Sequence, residues 1–168
     1  MDRVVAMASG ALLLLMAIFA AYLVLNPAPT GWTDEISVNH ATDAVIFDFQ
    51  LVSLDGDSVL SLTCRPNERI RAILYSDGLQ APAGAVGPRV ARVRLDDSIF
   101  ERPVVVHEDG IALTDPDDAS SIDFITRFAA SRQFEIVLAG AQDGAPQSIA
   151  FPTVGADDVV DRLRSSCI

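Results

Sequence analysis

A run of 22 residues without a charge, Val4 to Leu25, decides which compartment the other residues fold in and so constrains this chain most. At about 1.5 Å of rise per residue it makes a helix of roughly 33 Å, enough for a hydrocarbon core of about 30 Å. A cleaved signal peptide has a shorter apolar stretch followed by a small-x-small site. Ile18 spoils that pattern at Ile18-Phe19-Ala20, and Asn26-Pro27-Ala28 does not restore it, so a retained anchor is favoured over a removed signal. Arg3 is the sole basic residue before the run, whereas the far flank carries Asp34 and Glu35 and no arginine until Arg65. The positive-inside bias then keeps the N-terminus in the cytoplasm and sends everything after Leu25 out. Residues 1–25 read as a single-pass anchor in a bacterial inner membrane, 26–33 as a Pro- and Gly-containing linker, and 34–168 as a periplasmic domain.

Half of the residues are hydrophobic, enough for a folded core once the anchor is set aside. All 12 basic residues are arginine, and against 23 acids they leave a net charge of −11. That balance excludes nucleic acid as a partner, since phosphate binding needs a positive footprint. Two cysteines, Cys64 and Cys167, in an exported domain are expected to be paired.

Asp-Gly dipeptides occur at 55–56, 77–78, 109–110 and 143–144, and between alternating runs this dipeptide signals a hairpin. The acids lack the D-x-D-x-D-G spacing of a calcium loop, so turns are favoured over metal sites. If Asp55-Gly56 is the turn of the first hairpin, Phe47 faces Cys64, Phe49 faces Leu62 and Leu51 faces Leu60 on an apolar face. Asp48 then meets Thr63, and Gln50 meets Ser61, on a polar one. Further strands are expected at 69–76, 88–96, 103–107, 111–114, 133–139 and 148–151. A helix over 121–131, capped by Ser120, should bury Ile122, Ile125, Phe128 and Ala129. A second, after Gly155, carries Asp157 and Asp158 in its first turn and spaces Val159, Leu163 and Cys167 four apart on a buried stripe. Both sulfurs therefore point inward. The expected fold is mostly β (α+β): a β-sandwich-like antiparallel domain with two short helices, stapled by a Cys64–Cys167 disulfide.

Trp32, LSLTC at 60–64, VRLDD at 93–97, GIALTD at 110–115, DFITRFAAS at 123–131, IAFPTVG at 149–155 and a closing helix that ends in cysteine follow one another in order. Together they resemble the periplasmic accessory proteins associated with type VI secretion, over about residues 32–168. Cys64, Cys167 and the Arg94-x-Asp96 pair match that pattern; a tryptophan usual after the R-x-D strand is replaced by the Pro103-Val104 region. The resemblance implies a small signal-anchored, β-rich domain without a defined chemistry.

The residues themselves point the same way. His40 and His107 have no nucleophile motif beside them, and G-x-S-x-G, H-E-x-x-H and C-x-x-C are absent from the sequence. Asp115, Asp117 and Asp118 precede a helix, where acids favour the dipole, so capping is preferred over a carboxylate site. No catalytic residue, metal or cofactor is assigned. The expected function is a membrane-anchored, non-enzymatic binding or assembly module with a protein partner in the cell envelope. The alternatives are a periplasmic hydrolase with an unrecognised site, or a secreted invasion- or inhibitor-type binding protein. Charge suggests where a partner docks, since residues 65–102 hold seven arginines against five acids in an otherwise acidic chain. Alternation sends Arg92, Arg94 and Asp96 outward from one strand and Arg69 and Arg71 outward from the previous one. Strands consecutive in sequence tend to be neighbours, so these residues are expected to share a cationic docking face. The competing reading is a sheet surface solvated by exposed ion pairs.

Overall fold

A computed structural model describes residues 31–39, 44–76, 86–107, 110–115, 119–138 and 147–167. The anchor segment 4–25, His40, Asp117, Asp118 and the Asp-Gly pairs at 77–78 and 143–144 lie outside them. Among the described residues no helix is long and apolar enough to cross a membrane.

Among the described residues nine strands form one antiparallel sheet: β1 (Trp32–Asn39), β2 (Ala44–Val52), β3 (Ser58–Cys64), β4 (Arg71–Ser76), β5 (Gly87–Leu95), β6 (Ser98–Val106), β7 (Ile111–Ala112), β8 (Gln133–Leu138) and β9 (Gln147–Pro152). Their spatial order is β1-β2-β3-β4-β7-β6-β5-β8-β9. Helices α1 (Ala119–Ala129) and α2 (Ala156–Cys167) pack on each other, and α2 also packs on β2 and β3. The mostly β, antiparallel character and the two helices agree with the sequence. The strands, however, make a single sheet, because the two-residue β7 pairs with β4 on one side and β6 on the other. The sheet curls far enough that the Leu54 amide, in the β2–β3 turn, donates to Ala150 O on β9 at 2.9 Å. Trp32 Nε1 likewise reaches Val154 O, after β9, at 3.1 Å.

The first hairpin has the expected register: Phe47 opposes Cys64, Phe49 opposes Leu62 and Leu51 opposes Leu60, with Asp48 against Thr63 and Gln50 against Ser61. The turn is wider than the Asp-Gly pair alone, since Ser53 N donates to Ser58 O at 2.8 Å. Gly56 adopts φ 85°, open to glycine at no steric cost. The Ser53 hydroxyl, then the Asp57 amide, donate to Asp55 and hold its carboxyl below the usual carboxylate value. Its contribution to the turn is thus present above the ordinary carboxylate pKa and is lost as the pH falls through the lowered one.

The inner face of the sheet carries Leu51, Leu60, Leu62, Leu74, Val93 and Ile136, and the helices close over it. Phe124 and Phe128 of α1 meet Phe134 edge-on at 6.2 and 5.7 Å, and Phe134 stacks on Phe151 at 5.7 Å. α1 starts two residues before the expected position, and its buried stripe is Ser121, Phe124, Ile125 and Phe128, with Ile122 49% exposed. Ser120 is therefore inside the helix and not its cap; the aromatic cluster, which needs Phe124 inward, fixes the rotation. α2 buries Val159, Leu163 and Cys167 as the four-residue spacing requires. Cys64 and Cys167 are bridged with a Cα–Cα distance of 6.2 Å, and the Asn67 amide donates to Cys167 O at 2.6 Å, occupying one of the orphan carbonyls at the end of α2.

Gly110 shows how tightly β7 is inserted. A Cβ there would sit 2.7 Å from Leu74 O, a backbone atom of β4. Gly110→Ala is accordingly expected to cost about 1–3 kcal/mol through displacement of β4 or β7. Urea denaturation of the variant beside the parent chain measures it; equal midpoints would mean that the strands shift freely.

Candidate functional site

β5 alternates cleanly, with Ala91, Val93 and Leu95 buried and Val90, Arg92 and Arg94 exposed. Arg92 and Arg94 thus stand on the outer face of the sheet, as the sequence predicts. The expected neighbourhood does not form, because β7 and β6 stand between β4 and β5. Arg71 is consequently three strand spacings, roughly 14 Å along the sheet, from the strand of Arg92. β4 begins at Arg71, so Arg69 lies before the strand, not in it.

The candidate residues also differ in what occupies them. Arg71 Nη2 binds Glu68 Oε2 at 3.2 Å, and Arg69 is engaged as well. Arg94 Nη1 binds Glu135 Oε2 on β8 at 3.0 Å, and Glu135 also accepts from the Ser148 hydroxyl on β9. Asp96 turns out to be a turn residue. It has φ 50° in the two-residue β5–β6 turn, and its Oδ1 accepts from the Arg132 and Gln133 amides, both at 3.0 Å, which ties that turn to β8. Arg92 remains: it lies opposite Glu101 in register, on the other side from Val137, and makes no ion pair among the described residues.

What lies between Arg71 and Arg92 is apolar. Ile73, Ala112, Val105 and Pro88 are paired in one row across β4, β7, β6 and β5, and Val90 and Pro103 form the next pair on the same face. Val90 is 60% exposed, Ile99 58% and Val105 41%. Isolated exposed apolar residues are ordinary on a protein surface; a contiguous set rimmed by charge marks an interaction site. Charge along the sequence does not reveal this row. The alternation of Val90 against Ala91 and of Val105 against Val104 carried the signal, but which strands adjoin was needed to join the pieces.

Arg102, one of the seven arginines of residues 65–102, is buried at 6% exposure. Its Nε donates to Leu113 O at 2.5 Å, Nη1 to Ser120 O at 3.3 Å and Nη2 to Ser121 Oγ at 3.1 Å, while the guanidinium lies 4.4 Å from the centre of the Phe124 ring. It holds the chain between β7 and α1 and is a structural residue.

Of the candidate chemical groups, His107 is exposed after β6 and Asp115 is exposed before α1. No group of three His, Cys, Asp or Glu side chains able to hold a metal ion occurs among the described residues. Comparison with protein-family models, curated proteins and solved structures finds no match.

Proposed function

We propose that this chain is a non-enzymatic binding or assembly module that docks a protein partner through the outer face of its sheet, around Arg92. The observation that carries the reading is the patch of exposed apolar side chains around Val90 and Val105, bordered by Arg92, which makes no ion pair among the described residues, with Ile99 exposed on its far side. Such a face suits a partner that brings an apolar strip and a carboxylate, for which the planar guanidinium offers two parallel donors. The uncharged run 4–25 supports attachment to the bacterial inner membrane, and the Cys64–Cys167 bridge supports a domain on the oxidising, periplasmic side. A role like that of the accessory proteins of type VI secretion is consistent with the order of motifs along the chain.

Because Arg71 and Arg94 are already paired, Arg92 is the residue to change. Arg92→Gln in the detergent-solubilised full-length chain is expected to weaken capture of the partner several-fold at low salt and less at high salt. The melting temperature should stay where it is, since Arg92 is exposed. Undiminished capture by the folded variant would remove Arg92 from the interface.

A further inference from the structure

The two edges of the sheet differ. At β9 the strand is six residues, ends in Pro152, and its Ala150 carbonyl is taken by the Leu54 amide. β1 is eight residues, contains no proline and among the described residues pairs only with β2. Its Trp32 end is closed against Val154, but from Thr33 to Asn39 no described residue bonds its other edge. In an antiparallel ladder every second residue turns its N–H and C=O away from its partner strand, so this edge offers a row of donors and acceptors that no described residue takes. Natural proteins ordinarily blunt such an edge, and one left open is a template for an added strand.

The side chains along that edge specify what fits. On the outer face Glu35 stands directly across from Asp48, a like-charged pair, and such an arrangement is unfavourable until a cation is supplied. Asp48 takes hydrogen bonds from Ser61 and Gln50, neither of them charged. Residues 31–63 hold six acids and no arginine or lysine, and the arginine that ends the same row beyond Thr63, Arg71, is held by Glu68. On the inner face Ile36 is half-buried and Val38 is 43% exposed, an apolar step that an incoming strand would cover.

We infer that β1 is a strand-addition site for an extended basic segment of another protein, in which lysine or arginine alternates with apolar residues. The cations would lie beside Glu35 and Asp48 and the apolar side chains over Ile36 and Val38. A second copy of this chain is a poor occupant, because it would bring the same acidic strand and a net charge of −11. The site lies on a different strand from the Arg92 surface and stands or falls separately.

The probe is a blocked eight-residue peptide of alternating lysine and valine, titrated into the full-length chain in zwitterionic detergent. Alternate backbone amides of Thr33–Asn39 should exchange rapidly in the free protein and slow at least tenfold when the peptide binds. Glu35→Lys should weaken that binding about tenfold, whereas Arg92→Gln should leave it unchanged. A peptide of the same composition with its lysines and valines in two blocks, and one with glutamate for lysine, should bind at least tenfold more weakly. Equal binding of all three peptides, or binding without slowed exchange in β1, would overturn the assignment. So would a concentration-dependent dimer of the chain alone that protects the same amides, since β1 would then be the chain's own interface.

Discussion

Removing the Cys64–Cys167 bridge is expected to lower the free energy of unfolding by about 2–5 kcal/mol. The bridge joins residues 103 apart, so in the chain-entropy picture it restricts the unfolded ensemble over most of the domain. It also fixes the last residue of a 12-residue helix whose C-terminal turn is further held by the Asn67 amide on Cys167 O, by Arg164 on the Thr126 hydroxyl and by buried Leu163. Helices of that length are marginal without tertiary support. Reduction should therefore release the C-terminal turn of α2 first, and the amides of Leu163 to Cys167 should exchange faster before the sheet does. Urea unfolding of the Cys64→Ala/Cys167→Ala variant, with hydrogen exchange followed residue by residue, measures both effects. An unchanged midpoint with unaltered exchange in α2 would show that core packing alone secures the helix.

Arg102→Met should be destabilising by about 2–4 kcal/mol, although an aliphatic chain of similar length replaces the arginine. The variant leaves the Leu113 and Ser120 carbonyls and the Ser121 hydroxyl without their guanidinium donor. It also removes the cation from the Phe124 face. Arg92→Met, on the neighbouring strand, serves as the comparison, because Arg92 is exposed and its loss should change stability by less than about 0.5 kcal/mol. Equal effects of the two variants in urea unfolding would mean that the Arg102 contacts add no more than surface solvation does.

The first hairpin was legible because its pattern permits one pairing. Phe47, Phe49 and Leu51 can face Leu60, Leu62 and Cys64 only in the register that also sets Asp48 against Thr63, and a slip of one residue would turn every one of these to the wrong side. α2 was legible for a similar reason, with Gly155 before it and Val159, Leu163 and Cys167 on one stripe. Placement of the strands was harder. The expected adjacency of β4 and β5 failed because Ile111 and Ala112, within a strand expected at 111–114, pair with both β4 and β6 and hold them together, a placement that strand patterns alone do not set. That one insertion separates Arg71 from Arg92 and merges the anticipated layers into a single sheet.

Arg102 entered only a charge count, and a strand boundary kept its burial out of sight. With β6 starting at Ser98, Arg102 falls on the same side as Phe100 and Val104, which face the core; an expected start at Pro103 hid that parity. Asp96 was assigned to the outer face of β5, yet the Asp96-Asp97 pair between two alternating runs is itself a turn signal. β1 went unremarked although Trp32, Ile36 and Val38 alternate with Thr33, Glu35 and Ser37. Residues 26–33 read as a linker, whereas Trp32 reaches Phe128 at 6.4 Å and anchors the strand in the core.

The most direct test of docking through the outer face is photo-crosslinking in the native host. A photoreactive residue replaces Val90 in the full-length chain, and a second chain carries it at Val154, which is 63% exposed in the turn before α2. Position 90 is expected to give a discrete adduct with one envelope protein that diminishes when Arg92→Gln is added, and position 154 is expected to give none. The same adduct from both positions, or no adduct from position 90, would contradict a partner seated on the Val90–Arg92 face.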